Sequence, residues 1–186
     1  MTSLQRQQIN NDNDTNYILY IFVPTDNEMR QTYVEKIEAH NQDLTLNSHM
    51  DSGFDVYVEK DQSMECHKVN KVNFNIKCEM LKKGNNGNWE PSAFYMYPRS
   101  SISKTKFRLA NNVGIIDSGY RGHLMGMFDV MYSLENVQCE RGTRLCQICT
   151  STLEPFKIVL IESDSNLSVT RRNDGGFGST GGVASI

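Results

Sequence analysis

No stretch of the chain approaches the roughly 18 consecutive apolar residues that a membrane-spanning helix needs, so no membrane partner is expected. Nor is there a basic excess. The 19 Lys and Arg residues face 22 Asp and Glu, a net charge of -3, which argues against sequence-independent binding to nucleic acid. The amino-terminal MTSLQRQQINNDNDTN lacks the apolar centre of a secretion signal. The cysteines are few and odd in number: Cys66, Cys78, Cys139, Cys146 and Cys149. Together these absences predict reduced thiols in an intracellular compartment, cytoplasmic or nuclear. Cys146-Gln-Ile-Cys149 has the form of a metal or redox pair, but only Cys139 lies near it and no βαβ pattern surrounds it. Small apolar residues in a strand explain it better. The apolar share, 38%, is lean, so some segments are expected outside the core.

The 186 residues suit one domain with some additional chain, and no internal repeat is visible. Residues 1–16 are dominated by Asn, Gln, Asp and Thr and read as a disordered tail. Tyr17 to Val23 is a continuous apolar run ended by Pro24, a buried strand. Asn27 to His40 carries Met29, Tyr33 and Ile37 on one helical stripe, with Asp26 or Asn27 as cap. Short strands follow. Phe54 to Val58 alternates, and Val72, Phe74, Ile76 and Cys78 alternate with polar residues. Residues 82–88 read as a turn-rich loop. Ala93–Tyr97, Val113–Ile116, His123–Met131, Leu145–Thr150 and Phe156–Ile161 complete the strand set. Turn signals about every ten residues predict an all-β fold, a sandwich or a jelly-roll β-barrel, with a short helix inserted near the N-terminus.

Four stretches combine phosphate-handling residue types with tight turns. Pro98-Arg99-Ser100-Ser101 offers a guanidinium fork and hydroxyls, although a surface turn has the same composition. Asn111 to Gly122 reads as a β-hairpin projecting Asp117 and Tyr120 from its end. An aspartate there can orient a water and take its proton, or only initiate the turn. Arg141 to Gln147 is a turn feeding a strand, with the Gln147 amide inside an apolar stretch. Arg172 to Gly181 supplies a cation, glycine amides and the Phe177 ring. Glycine amides approach anions closely and a ring stacks on a base, yet a plain flexible tail looks similar.

These stretches, in this order and with Asp51-Ser-Gly-Phe-Asp-Val56 as a fifth, closely resemble the five motifs of the trimeric dUTPase family. The resemblance covers roughly residues 51 to 182. It implies a jelly-roll β-barrel of the dUTPase-like β-clip type over residues 17–170 and a Gly-rich C-terminal lid over 171–186. It implies a homotrimer whose three active sites each draw on all three chains. The implied reaction converts dUTP and water to dUMP and pyrophosphate with Mg2+, and so keeps uracil out of DNA.

By motif position, Asp117 is expected to activate the attacking water, and Tyr120 to pack on the deoxyribose where a 2′-hydroxyl would sit. Asn111, Val113, Gly114 and Ile115 are expected to read the uracil edge. Arg99, Ser100, Ser101 and Gln147 are expected on phosphate oxygens, Asp55 near Mg2+ through water, and Arg172 on the terminal phosphates. Phe177 and Gly178 are expected to close over the base. The sequence departs from the family pattern at Val56, His123, Thr143, Cys146 and Asn173. The alternatives are a dUTPase-like regulatory protein and a dCTP deaminase. Deamination requires a general base, usually a glutamate, that the hairpin region lacks. Segments 24–50 and 82–92 exceed what the motifs need.

Overall fold

The structure, a computed structural model, describes residues 15–175. Its elements run β1 Tyr17–Phe22, α1 Arg30–Leu46, β2 Gly53–Val56, β3 Gln62–Met64, β4 Asn70–Asn73, β5 Lys77–Lys83 and β6 Trp89–Ser92. They continue with β7 Phe94–Pro98, β8 Phe107–Leu109, β9 Gly114–Ile116, β10 Met125–Val130, β11 Val137–Cys139, β12 Cys146–Thr150 and β13 Lys157–Ile161. Short 3₁₀ turns lie at Ser100–Lys104 and Asp164–Asn166. The all-β expectation with one inserted helix holds. The strands pair as β13-β1-β5-β6, β4-β10-β8, β11-β3 and β2-β12-β7-β9, and these described ladders do not join into one closed barrel.

The apolar run of β1 follows from burial on both faces. Tyr17, Leu19 and Ile21 enter the main core, while Ile18 and Tyr20 enter a second cluster with Ile161 and Leu167. β1 lies between β13, parallel to it, and β5, antiparallel to it. Trp89 packs on the second cluster. It gets there because the turn expected over 82–88 closes a hairpin at residues 84–88, with β5 running on through Lys82 and Lys83 and β6 returning along it.

The helix is displaced from its expected bounds, starting at Arg30 instead of Asn27 and ending at Leu46 instead of His40. Asn27 is engaged elsewhere, since its amide donates to the Asn75 carbonyl at 3.0 Å and its Oδ1 accepts from the Met29 N–H at 2.8 Å. Met29 flanks the first turn without a side-chain cap, so neither Asp26 nor Asn27 takes the expected capping place. The polar second half stays helical because it is docked. The Asn41 amide bonds both the carbonyl and the N–H of Ile158, at 2.8 and 3.0 Å, on the edge strand β13.

The alternating run Val72 to Cys78 is not one strand. It divides into β4 and β5, in different sheets, at Asn75, whose φ is 50°. Val72, Phe74, Ile76 and Cys78 are still all buried, so the periodicity reported burial correctly and continuity wrongly. Strands β3, β8 and β11 were not expected. Each has three residues, too few for a period-2 pattern to register. Of the expected tail, only Thr15 and Asn16 are described, and Thr15 is buried with its hydroxyl on the Tyr17 carbonyl at 3.1 Å.

Candidate active site

Ten of the expected site residues divide between two cavities that share no residue. The first, about 1010 Å³, opens over the outer face of the β2-β12-β7 ladder and includes Asp55, Arg99, Ser100 and Gln147 in its lining. Strand alternation explains the grouping. Gln147 is paired with Asp55 on one side and Tyr97 on the other, while Phe54, Val56, Ile148 and Met96 face the core. The Asp55 carboxylate accepts from Arg99 and, at 3.1 Å, from Arg144. The Gln147 amide lies over Gly53, where a Cβ would come within 2.3 Å of its Oε1. Ser101 belongs to the adjoining 3₁₀ turn and does not line this cavity.

The second cavity, about 180 Å³, is lined by Asn111, Gly114, Ile115, Ile116, Asp117, Tyr120, Met125 and Arg172. Six of these were expected in the site. Val113 lies just outside, its N–H on the Asn111 carbonyl at 2.6 Å. The Asp117 carboxylate accepts from the Arg172 guanidinium, whose Nε donates to the Gly175 carbonyl at 3.0 Å. Tyr120 is buried, with its hydroxyl donating to the His123 carbonyl at 2.8 Å. Burial is the main cause that raises its phenol pKa, so the hydroxyl stays a donor. Phe177 and Gly178 lie outside the described residues.

The expected β-hairpin around Asp117 is instead a corner between two sheets. β9 pairs with β7, whereas β10 pairs with β4 and β8. The chain turns there because Arg121 is drawn inward. Its side chain donates to the carbonyls of Ser118 (2.9 Å), Tyr120 (2.8 Å) and Ser168 (3.0 Å), to the Ser168 hydroxyl (2.7 Å) and to Glu79 (2.8 Å). Glu79 also accepts from the Ser168 N–H at 2.9 Å. This buried group ties the backbone beside Asp117 to the chain that leads to Arg172. Asn173, where the family pattern has Gly, holds φ 48°, a left-handed conformation that Asn tolerates better than most residues, and bridges to Tyr120.

Sequence reasoning missed Arg144, Arg121 and Glu79. Arg144 stood in a stretch already singled out, three residues before Gln147, but nothing local marked its partner. The Arg121–Glu79 pair had no local signal, since the two are 42 positions apart. The paired-cysteine form dissolves on the strand. Positions 146 and 149 differ by an odd number within β12, so their side chains point to opposite faces. Burial pushes Cys146 up to about 12 and Cys149 up to about 11.

Comparison with known proteins gives a consistent result. Residues 39–181 match the family model described as dUTPase. The chain is 29% identical over 153 residues to the deoxyuridine 5'-triphosphate nucleotidohydrolase of Clostridium tetani, covering 80% of this chain and 97% of that protein. It is 34% identical over 94 residues to the protein of the same name from Mycobacterium marinum, covering 49% of this chain and spanning 61% of that relative's length. Among solved structures, the dUTPase of Streptococcus mutans aligns with a TM-score of 0.45 at 22% identity, over 63% of this chain and 86% of that one.

Proposed function

We propose that this chain, which belongs to the dUTPase family, hydrolyses dUTP to dUMP and pyrophosphate. One observation carries the reading. A nucleoside-sized cavity with a carboxylate and a phosphate-handling cavity with arginines lie apart on one chain, each holding half of what the reaction needs. The separation follows from register. Phe94 pairs with Ile116, so Asp117 lies opposite Ala93, four positions from the Tyr97 that is level with Gln147 and Asp55. Four residues along and three strands across put the Asp55 and Asp117 backbones roughly 20 Å apart. An α-phosphorus beside Asp117 is then out of reach of its own chain's Gln147 and Asp55. The arrangement supports completion of each site by a second copy, within a homotrimer, with the segment from Arg172 onward as the closing element.

In this reading Asp117 orients the water and accepts its proton as the water attacks the α-phosphorus. Its contact with Arg172 yields when the triphosphate competes for the guanidinium. Tyr120 closes the sugar side of the cavity against a 2′-hydroxyl, while Asn111 and the backbone of Val113 to Ile115 read the uracil edge. Arg99, Ser100, Ser101 and Gln147 hold phosphate oxygens from the other half-site. No group of three or more acidic, His or Cys side chains that could hold a metal occurs among the described residues. Asp55, already held by Arg99 and Arg144, fits a place outside the ion's water shell, because Mg2+ keeps several of its waters when it binds a triphosphate. When bound, Mg2+ would neutralise charge on the triphosphate. No glutamate lines the nucleoside cavity, which disfavours cytosine deamination.

The test is turnover of dUTP, dCTP and UTP by the purified chain with magnesium, alongside its mass in solution. Pyrophosphate release from dUTP alone by a trimer is the expected result. No turnover of any nucleotide would refute the reading in favour of a regulatory protein, and a stable, active monomer would refute the shared site.

A further inference from the structure

Helix α1 carries Lys36, Ala39, His40 and Asp43 at spacings of three and four residues, and all four line the phosphate-handling cavity. The family match begins at residue 39, so Lys36 lies ahead of it. The helix is held against this wall at several points. The Tyr33 hydroxyl accepts from the Tyr57 N–H at 3.0 Å, just beyond the strand that bears Asp55. His40 packs edge-on against Phe54, with ring centroids 5.6 Å apart, and its Nε2 donates to the Phe156 carbonyl at 2.8 Å. Lys36 thus stands on a fixed support and lines the same cavity as Arg99, Ser100 and Gln147.

The charges in this cavity are not equivalent. Arg99 and Arg144 both already bind Asp55. Lys36 has no ion pair among the described residues. Its neighbours three and four positions away, Thr32, Tyr33, Ala39 and His40, include no acid. Asp43, on the same face, lies seven positions on, about 10 Å along the axis, and forms no ion pair with Lys36. Although the carboxylates of Asp43, Asp51 and Asp55 also line the cavity, an exposed, unpaired ammonium on a docked helix, set in the same lining as two guanidiniums, has the chemistry to take a polyphosphate oxygen.

We propose that Lys36, supplied by the helical insertion, is an additional phosphate-binding residue that contacts the β- or γ-phosphate of the bound nucleotide. This deepens the proposed dUTP hydrolysis and rests on it for the identity of the ligand. The contact exists in both the bound substrate and the transition state, so it acts on affinity rather than on the chemical step.

The test compares wild type with Lys36→Gln, which keeps helix propensity and removes the charge. Lys71→Gln, on exposed β4 away from both cavities, controls for net charge. Inorganic tripolyphosphate is titrated calorimetrically into each protein, and KM and kcat for dUTP are measured in parallel. Lys36→Gln is expected to weaken tripolyphosphate binding and raise KM by about 3- to 5-fold, as for an exposed charge-assisted contact, with kcat within about 2-fold. Lys71→Gln is expected to change neither. Equal tripolyphosphate affinity for Lys36→Gln and wild type, equal losses in both variants, or no binding by wild type would overturn the assignment. Binding that depends on Lys36 without any dUTP turnover would uphold the phosphate site and sink the proposed reaction instead.

Discussion

Arg121→Met is the sharpest test of what holds the corner at Asp117. Arg121 is 8% exposed and Glu79 is 2% exposed. Removing the guanidinium leaves a buried carboxylate whose remaining donors among the described residues are the Ser168 N–H and hydroxyl. It also strips the donors from the Ser118 and Tyr120 carbonyls. Breaking a buried pair from one side costs about 3–5 kcal/mol, because the remaining charge stays desolvated. With a urea dependence of about 2 kcal/mol per molar, the unfolding midpoint falls by roughly 1.5–2.5 M, read at fixed protein concentration. The double variant Glu79→Gln with Arg121→Met removes the charge left behind and is expected to recover at least about 1 kcal/mol of that loss. Equal stability of single and double variants, or a loss under about 1 kcal/mol in the single, would show that Glu79 is not a dry, charged partner and that the corner is held by other contacts.

Three further outcomes follow from the same geometry. Asp117→Asn is expected to lower kcat for dUTP by about 100-fold or more with nucleotide affinity little changed, and a wild-type rate would remove Asp117 from its assigned role. Gly122→Ala would place a Cβ within 2.4 Å of the Tyr120 hydroxyl, which is pinned to the His123 carbonyl. The displaced ring should lower discrimination between dUTP and UTP by about 10-fold, measured as a ratio of kcat/KM, and an unchanged ratio would detach Tyr120 from sugar selection. Burial, more than any other cause, lowers the His40 pKa below its ordinary 6.5, so the fold favours the neutral ring. That contribution is complete above the ordinary value and is lost as pH falls through the folded-state value. The stability of wild type should therefore drop below about pH 6.5 more steeply than that of His40→Gln, and parallel curves would exclude His40 as the titrating group.

Much of this architecture was legible because burial leaves a period. The double-sided burial of β1 wrote an unbroken apolar run, and the outward row of β2 and β12 wrote polar Asp55 and Gln147 between buried neighbours. What the sequence concealed depends on pairing at long range. Nothing local distinguishes a hairpin from a corner at Asp117, since the turn residues are the same. The difference is made by Glu79 on a distant strand, which draws Arg121 inward. Asn75 likewise splits an alternating run by a backbone turn that leaves the side-chain alternation intact. The motif order singled out the residues of both cavities, but only the strand register exposed that they lie apart on one chain.

The two cavities are also stabilised by different means. Around Asp117, the backbone is tied through Arg121 to Ser168 and so to the root of the segment bearing Arg172. A change in that buried group therefore disturbs Asp117 and Arg172 together. Around Asp55, by contrast, the residues sit on strand faces whose positions are set by ladder pairing, with α1 laid across as a separate wall. Substitutions on the exposed face of the helix can tune phosphate affinity without moving the strands beneath. Affinity for the phosphate chain should thus be adjustable residue by residue, whereas the chemistry at the corner should respond to its buried network as one unit, with strongly non-additive double variants.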